Sequence, residues 1–331
     1  MRNTASRWIV AILALVTTSA MATSAAQGFR ETPVEVGSQP YLLKGMLTLP
    51  NGHGPFPGVV LVGGSGPTDM DETIGPDKPF RDLAQGLAAQ GIAVLRYDKR
   101  THDHAALAVQ DRTFDIDDEY TDDALAALKQ LRATPGLGRN ALFLLGHSQG
   151  AAVAPHIAEK DRNIAGLILI AVPAHPLFDE MIRQLNYLIG IEPTQADALR
   201  TQLVMIETAR KQVAAFTSEN PQAPGPFGTA AAYWLSLRDY DPVTVARKLS
   251  LPMLILQGGR DYQVTPADDF PRWQQAFAHD PRATLREYPG LSHLMMPAGD
   301  PPSPADYSKP AQVDPQVIAD IAAWIHAHAR Q

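Results

Sequence analysis

Residues 141–160, ALFLLGHSQGAAVAPHIAEK, restrict the fold more than any other stretch of the chain. The apolar run ALFLLG reads as a buried strand and AAVAPHIAEK as a helix, with only the turn GHSQG between them. A turn that sharp strains the backbone at Ser148, and side chains at Gly146 and Gly150 would strike the neighbouring strand and helix. Ser148 therefore stands exposed at a strand end as a candidate nucleophile, on a fold that alternates strands with helices.

That alternation runs through most of the chain. A hairpin over VEVGS and YLLKGMLTLP, from residue 34 and turning at Gln39-Pro40, comes first. The apolar runs at 58–63, 92–98, 141–146, 165–172, 252–258 and 283–288 read as further strands, which makes eight. Amphipathic helices are expected near 79–90, 117–133, 149–160, 266–278 and 315–329. Pro155 removes a backbone donor inside the third of these helices, where a local kink is expected. Such a rhythm predicts an α/β fold with a mostly parallel sheet and flanking helices. Residues 174–247 break the rhythm with helical patterning and the loop TSENPQAPGPFG. So long an interval predicts a helical cap rather than a connection.

A serine hydroxyl is a weak nucleophile and needs a general base, itself oriented by an acid. After a strand–turn–helix serine those partners follow in the order acid, then histidine. Asp261, just after the seventh strand, and His293, just after the eighth, fit that order at the rim where strand C-termini deliver loops. Asp268 and Asp269 are rivals for the acid, but they open the following helix; His326 and His328 fall on the last helix. The pair in THDH, His102 and His104, lacks a third ligand at fixed spacing and reads as a solvent-facing loop rather than a metal site. His147 reads as packing beside the turn.

The glycine-rich VVLVGGSGPTD, residues 59–69, leaves backbone amides facing something negative. A dinucleotide fingerprint fails here, because Asp69 stands where a third glycine belongs and helical pattern begins only near Pro79. The alternative is an oxyanion hole, with the backbone N–H groups of Ser65 and Gln149 as donors.

At 331 residues and 45% hydrophobic content, one large domain with an insertion is accommodated. A net charge of −7 without a basic run argues against nucleic acid. Arg2 and Arg7, the apolar run WIVAILALV and the small residues after it predict a signal peptide over 1–26, cut after Ala22 or Ala26. The run is too short for a stable membrane span. Its removal leaves a mature domain, 27–331, with a charge of −9, exported to the periplasm or secreted. No cysteine is present, which excludes a thiol nucleophile and cysteine-ligated metal.

Several longer runs carry a family resemblance: GSGPTDMDETIGPDKPFRDLAQGLA, GIAVLRYDKRT, GHSQG, YWLSLRDYDP, LPMLILQGGRDYQV and YPGLSHLMMP. Over about residues 45–331 the chain resembles the bacterial α/β-hydrolases of the EstD carboxylesterase type, with likeness to dienelactone hydrolases and serine aminopeptidase-like hydrolases. The resemblance implies an α/β-hydrolase fold and cofactor-free hydrolysis of small-molecule carboxylic esters through a Ser148, Asp261, His293 triad. Gly63 departs from a histidine common in such enzymes and Gln149 from a leucine; both expected oxyanion donors are backbone amides, so neither change touches them. Many relatives carry an extra N-terminal domain, where this chain has only a short stretch between the signal and its first strand. A peptidase or amidase on the same triad, or a non-catalytic binding protein on the same fold, remain the rival readings.

Overall fold

The computed structural model describes residues 28–329, so the signal-peptide reading lies outside the described residues. One eight-stranded sheet organises the chain, in the order β1-β2-β4-β3-β5-β6-β7-β8. The strands are β1 (Phe29–Ser38), β2 (Tyr41–Pro50), β3 (Phe56–Val62), β4 (Ala93–Tyr97), β5 (Leu137–His147), β6 (Gly166–Ile170), β7 (Met253–Gly258) and β8 (Ala283–Tyr288). β1 and β2 form the expected hairpin, closed by the Ser38–Tyr41 pair, and β2 also runs antiparallel to β4. All other pairings are parallel. β1 starts earlier than its apolar signal because residues 29–33 are mostly exposed, and the alternation shows only at Val34 and Val36.

In chain order the helices are α1 (Pro79–Ala88), α2 (Arg100–Asp103), α3 (Ala105–Gln110), α4 (Asp122–Ala133), α5 (Gln149–Lys160), α6 (Leu177–Ile191), α7 (Ala196–Ala214), α8 (Ala231–Arg238), α9 (Pro242–Lys248), α10 (Asp269–Ala276) and α11 (Pro315–His328). Strand alternation sorts them into two layers. Val59 and Leu61 of β3 face Phe80 and Leu87 of α1 and Ile321 and Ile325 of α11. Val60 and Val62 face the other way, toward Leu128 of α4, Val153 and Ile157 of α5, Ala246 of α9 and Trp273 of α10. The central strands β4, β6 and β7 are buried along their whole length, as a parallel sheet covered on both faces requires. α5 runs unbroken through Pro155.

The THDH stretch is not a solvent-facing loop. Arg100 is buried against Asp123 at 2.7 Å, and His104 places Nε2 2.8 Å from the Leu42 carbonyl, which folds the segment into α2 and α3. His102 meets Asp98 and Asp103 rather than His104. The helix expected over 117–133 begins with a π-turn at 117–121.

Between β6 and β7, α6, α7 and α8 form an apolar cluster of their own, with Phe178, Ile206, Ala209, Val213 and Trp234 at its centre. α9 instead contributes Val243 and Ala246 to the sheet's core, so the separate unit ends near Arg238. Among the described residues no helix is long and apolar enough to cross a membrane.

Candidate active site

β5 drives into the turn at Gly146 and α5 leaves it at Gln149. Between them Ser148 has φ 53° and ψ −123°, a conformation that bulkier backbones avoid and that functional turns retain. A Cβ at Gly146 would lie 2.5 Å from the Ala151 backbone, and one at Gly150 2.3 Å from the Val62 and Gly63 carbonyls. The two glycines thus permit the close approach of turn, helix and β3. The Ser148 N–H donates to Ile170 O at 2.9 Å, which ties the turn to β6.

The loops after β7 and β8 bring Asp261 and His293 together: Nδ1 of His293 lies 2.7 Å from Oδ2 of Asp261, both side chains buried. The other oxygen, Oδ1, accepts the N–H groups of Gln263 and Val264 at 2.8 and 3.0 Å, which fixes the carboxylate's rotation. An aspartate so placed holds the imidazole with its proton on Nδ1, leaving Nε2 as the basic nitrogen. Asp269 spends its oxygens on Ala174 N, Thr265 N and Arg183, and Asp268 takes Thr265 Oγ1; neither faces His293.

Gly64 is held at both its N–H and its carbonyl. The Gly64 N–H donates to Glu72 Oε1 at 2.6 Å, while the Gly64 carbonyl accepts from Lys99 Nζ at 2.9 Å and from the Tyr120 hydroxyl at 3.3 Å. In a trans peptide the carbonyl and the following N–H point in opposite directions. Lys99 and Tyr120 on the Gly64 oxygen therefore turn the Ser65 N–H the other way, and it has no acceptor among the described residues. Gln149 opens α5, so its N–H is one of the four that a helix leaves unpaired. Lys99 is itself balanced by Glu119 at 2.8 Å, and the Tyr233 hydroxyl of α8 donates to the second Glu119 oxygen at 2.5 Å.

His147 does more than pack. Its Nε2 lies 2.9 Å from the His293 carbonyl and its Nδ1 3.0 Å from Glu72 Oε2, an ion-pair contact not aligned as a hydrogen bond. Burial alone would lower the His147 pKa, but the Glu72 charge, followed by the His293 carbonyl, outweighs it and the net shift is upward. Glu72, at φ 52°, thus reaches both the glycine loop and the residue before Ser148. The His147 and His293 rings stand 4.6 Å apart, so the loop after β8 packs against the residue that precedes Ser148. Sequence reasoning missed Glu72, Lys99, Glu119 and Tyr120. Only Lys99, just past the C-terminal end of β4, carried a positional signal.

Ser65, Ser148 and Gln149 line one wall of a cavity of about 570 Å³. Its other walls are mainly apolar, from Ala105, Ala108 and Phe114 to Leu177, Met181 and Trp234. No Lys or Arg lines it; of its two acids, Glu119 is held by Lys99 and Tyr233, while Glu180 gives one oxygen to Arg183 and leaves the other without a hydrogen-bond partner.

Solved structures share this architecture. An esterase of Pyrococcus furiosus superposes with a TM-score of 0.55 at 15% identity, covering 91% of this chain and 92% of that one. A puromycin-hydrolysing peptidase of Mycobacterium tuberculosis gives 0.56 at 16% identity, covering 94% of this chain and 41% of that one. At such identities the likeness establishes the α/β-hydrolase fold. Esterase EstD of Thermotoga maritima is similar in sequence, 38% identical over 301 residues, which span 90% of this chain and 68% of EstD. Together with a match of residues 78–300 to the family described as serine aminopeptidase S33, this places the chain in that family of hydrolases, to which it belongs.

Proposed function

We propose that the protein is an exported serine carboxylesterase that works through an acyl-enzyme. The observation that carries the reading is the buried Asp261–His293 pair at 2.7 Å, on the rim that also carries the strained Ser148. His293 takes the Ser148 proton as Oγ attacks the acyl carbon, then returns it to the leaving alkoxide. Asp261 holds the imidazole and steadies its charge, while the Ser65 and Gln149 amides receive the oxyanion. Water, activated by the same histidine, then releases the acid. Helices α6 to α8 act as the cap of this site. Esterase EstD supports ester rather than amide chemistry.

Fluorophosphonate labelling and hydrolysis of 4-nitrophenyl acetate, compared with aminoacyl nitroanilides, test this. Ser148→Ala and His293→Ala should lower turnover by about 10⁴-fold or more, and Asp261→Asn nearly as far. Asp268→Asn should change it by less than about threefold. Labelling that survives Ser148→Ala would sink the proposal. Export is tested separately, by mass spectrometry of the N-terminus of protein recovered outside the cytoplasm, which should begin at residue 23 or 27.

A further inference from the structure

A second cavity of about 310 Å³ opens between α6 and α7, and it meets the Ser148 cavity at Met181, Gln184 and Phe227. Its remaining walls carry no charge: Leu185 and Leu188 come from α6, Gln202, Met205 and Ile206 from α7. Met205 is 57% exposed, so this groove reaches the surface. The large apolar side chains left exposed among the described residues are Leu107, Val109, Val204, Met205 and Phe227, and three of these line the two cavities. A soluble surface scatters such residues singly; their grouping along one route marks a binding path.

The junction residue is held at a cost. Phe227 has φ 55° and ψ 24°, the left-handed region that bulky residues avoid. Its ring stands edge-on to Trp234 at 5.8 Å while the residue is 56% exposed, so burial does not explain the strain. Backbone strain on an exposed aromatic persists where the ring's position matters. Here that position is the boundary between the cavity at the nucleophile and the groove beyond it.

Resting on the ester-hydrolase reading, we propose that the α6–α7 groove is the distal acyl subsite, taking the far end of an unbranched hydrocarbon chain, and that Phe227 is the gate such a chain must pass. The occupant follows from the lining. A charged or sugar-like group would lose its hydration there against two glutamines, whereas each buried methylene gains about fourfold in binding. Acetate and other short acyl groups end in the first cavity and never meet the gate.

The test compares kcat/KM for 4-nitrophenyl acetate, octanoate and dodecanoate. Phe227→Gly removes the ring and suits φ 55° better than phenylalanine does, so the fold should hold. It should raise the dodecanoate-to-acetate ratio about tenfold, while Met205→Glu should lower that ratio by a similar factor. Ratios within about twofold of wild type in both variants, with acetate still hydrolysed, would overturn the subsite. Absence of acetate hydrolysis in the wild type would instead overturn the esterase reading. The groove is then judged by calorimetric binding of methyl octanoate to the Ser148→Ala protein. Met205→Glu should weaken that binding at least about fivefold, and an unchanged affinity would count against the subsite.

Discussion

Lys99 is a buried cation whose ammonium donates to the Gly64 carbonyl, and the direction of the Ser65 N–H follows from that bond. Loss of a whole oxyanion donor lowers turnover about 10²- to 10³-fold, so misorienting one through Lys99→Met should cost about 10- to 100-fold in kcat with KM held. That variant also strands Glu119 as an unpaired buried carboxylate, a loss of about 3–5 kcal/mol. The double variant Lys99→Met/Glu119→Gln separates the two effects: thermal stability should recover while kcat stays low. Recovery of both together would reduce Lys99 to a structural residue. Glu72 and His147 make a second, pH-dependent tie. The folded pKa of His147 lies above its ordinary 6.5, so the ion pair's contribution to stability is full below that value and is lost as pH rises through the folded one. The gap in melting temperature between wild type and Glu72→Gln should therefore be widest below pH 6.5 and narrow on going alkaline. A gap that stays constant across that range would show that His147 is neutral throughout.

α6 is fastened to the sheet by a cluster of acids around one arginine. Glu180 on α6 and Asp269 on α10 both receive Arg183, and Asp269 also accepts the Ala174 N–H at 2.8 Å. Burial, then the neighbouring Asp269, push the Glu180 carboxyl well above the usual carboxylate range. Above pH 4.5 the folded state thus holds a proton that the unfolded chain releases, and stability falls as pH rises from there. Glu180→Gln keeps the shape and a donor without the titration. It should melt with wild type near pH 4.5 and increasingly above it at higher pH, by thermal unfolding followed across that range. A constant offset would mean that Glu180 is ionised throughout. This tie was invisible in the sequence, because Glu180 lies on an amphipathic helix like any surface acid. The elements themselves were legible where periodicity was strong: β8 matches its apolar run residue for residue, and α5 keeps both its bounds. α2 and α3 were not, since Arg100 and His104 fold inward by contacts with Asp123 and Leu42 that no local pattern encodes.

On the scale of the whole molecule, residues 146–150, 261 and 293 were readable because each sits at the C-terminal end of a strand, where topology alone assigns a shared rim. The residues that steady them were not, for Lys99 meets Gly64 across 35 positions and His147 meets His293 across 146. The same division shows in the packing. The apolar cluster of α6, α7 and α8 shares no member with the two clusters on the sheet's faces, so most of residues 177–238 adds little to the core beneath. What joins the two parts is mainly polar: Tyr233 to Glu119, Arg112 to the Gln222 carbonyl, Arg183 to Asp269, Gln184 to the Gln263 carbonyl, Tyr187 to the Pro302 carbonyl and the Ile116 N–H to Ser236, with the stacked pairs Phe114–Tyr233 and Tyr187–Tyr262 beside them. Replacing residues 177–238 by a short Gly/Ser linker should therefore leave a cooperative thermal transition, lowered by the loss of these ties, and a Ser148 that still reacts with a fluorophosphonate. Hydrolysis of 4-nitrophenyl acetate should persist within about tenfold, because the rim residues 65, 148, 149, 261 and 293 all lie outside the excised segment. The octanoate-to-acetate ratio should collapse toward about one, since the walls that hold a longer chain are gone. Circular dichroism and the ester series decide the matter: loss of cooperative folding would make these helices part of the core, and an unchanged chain-length ratio would make them a surface insertion.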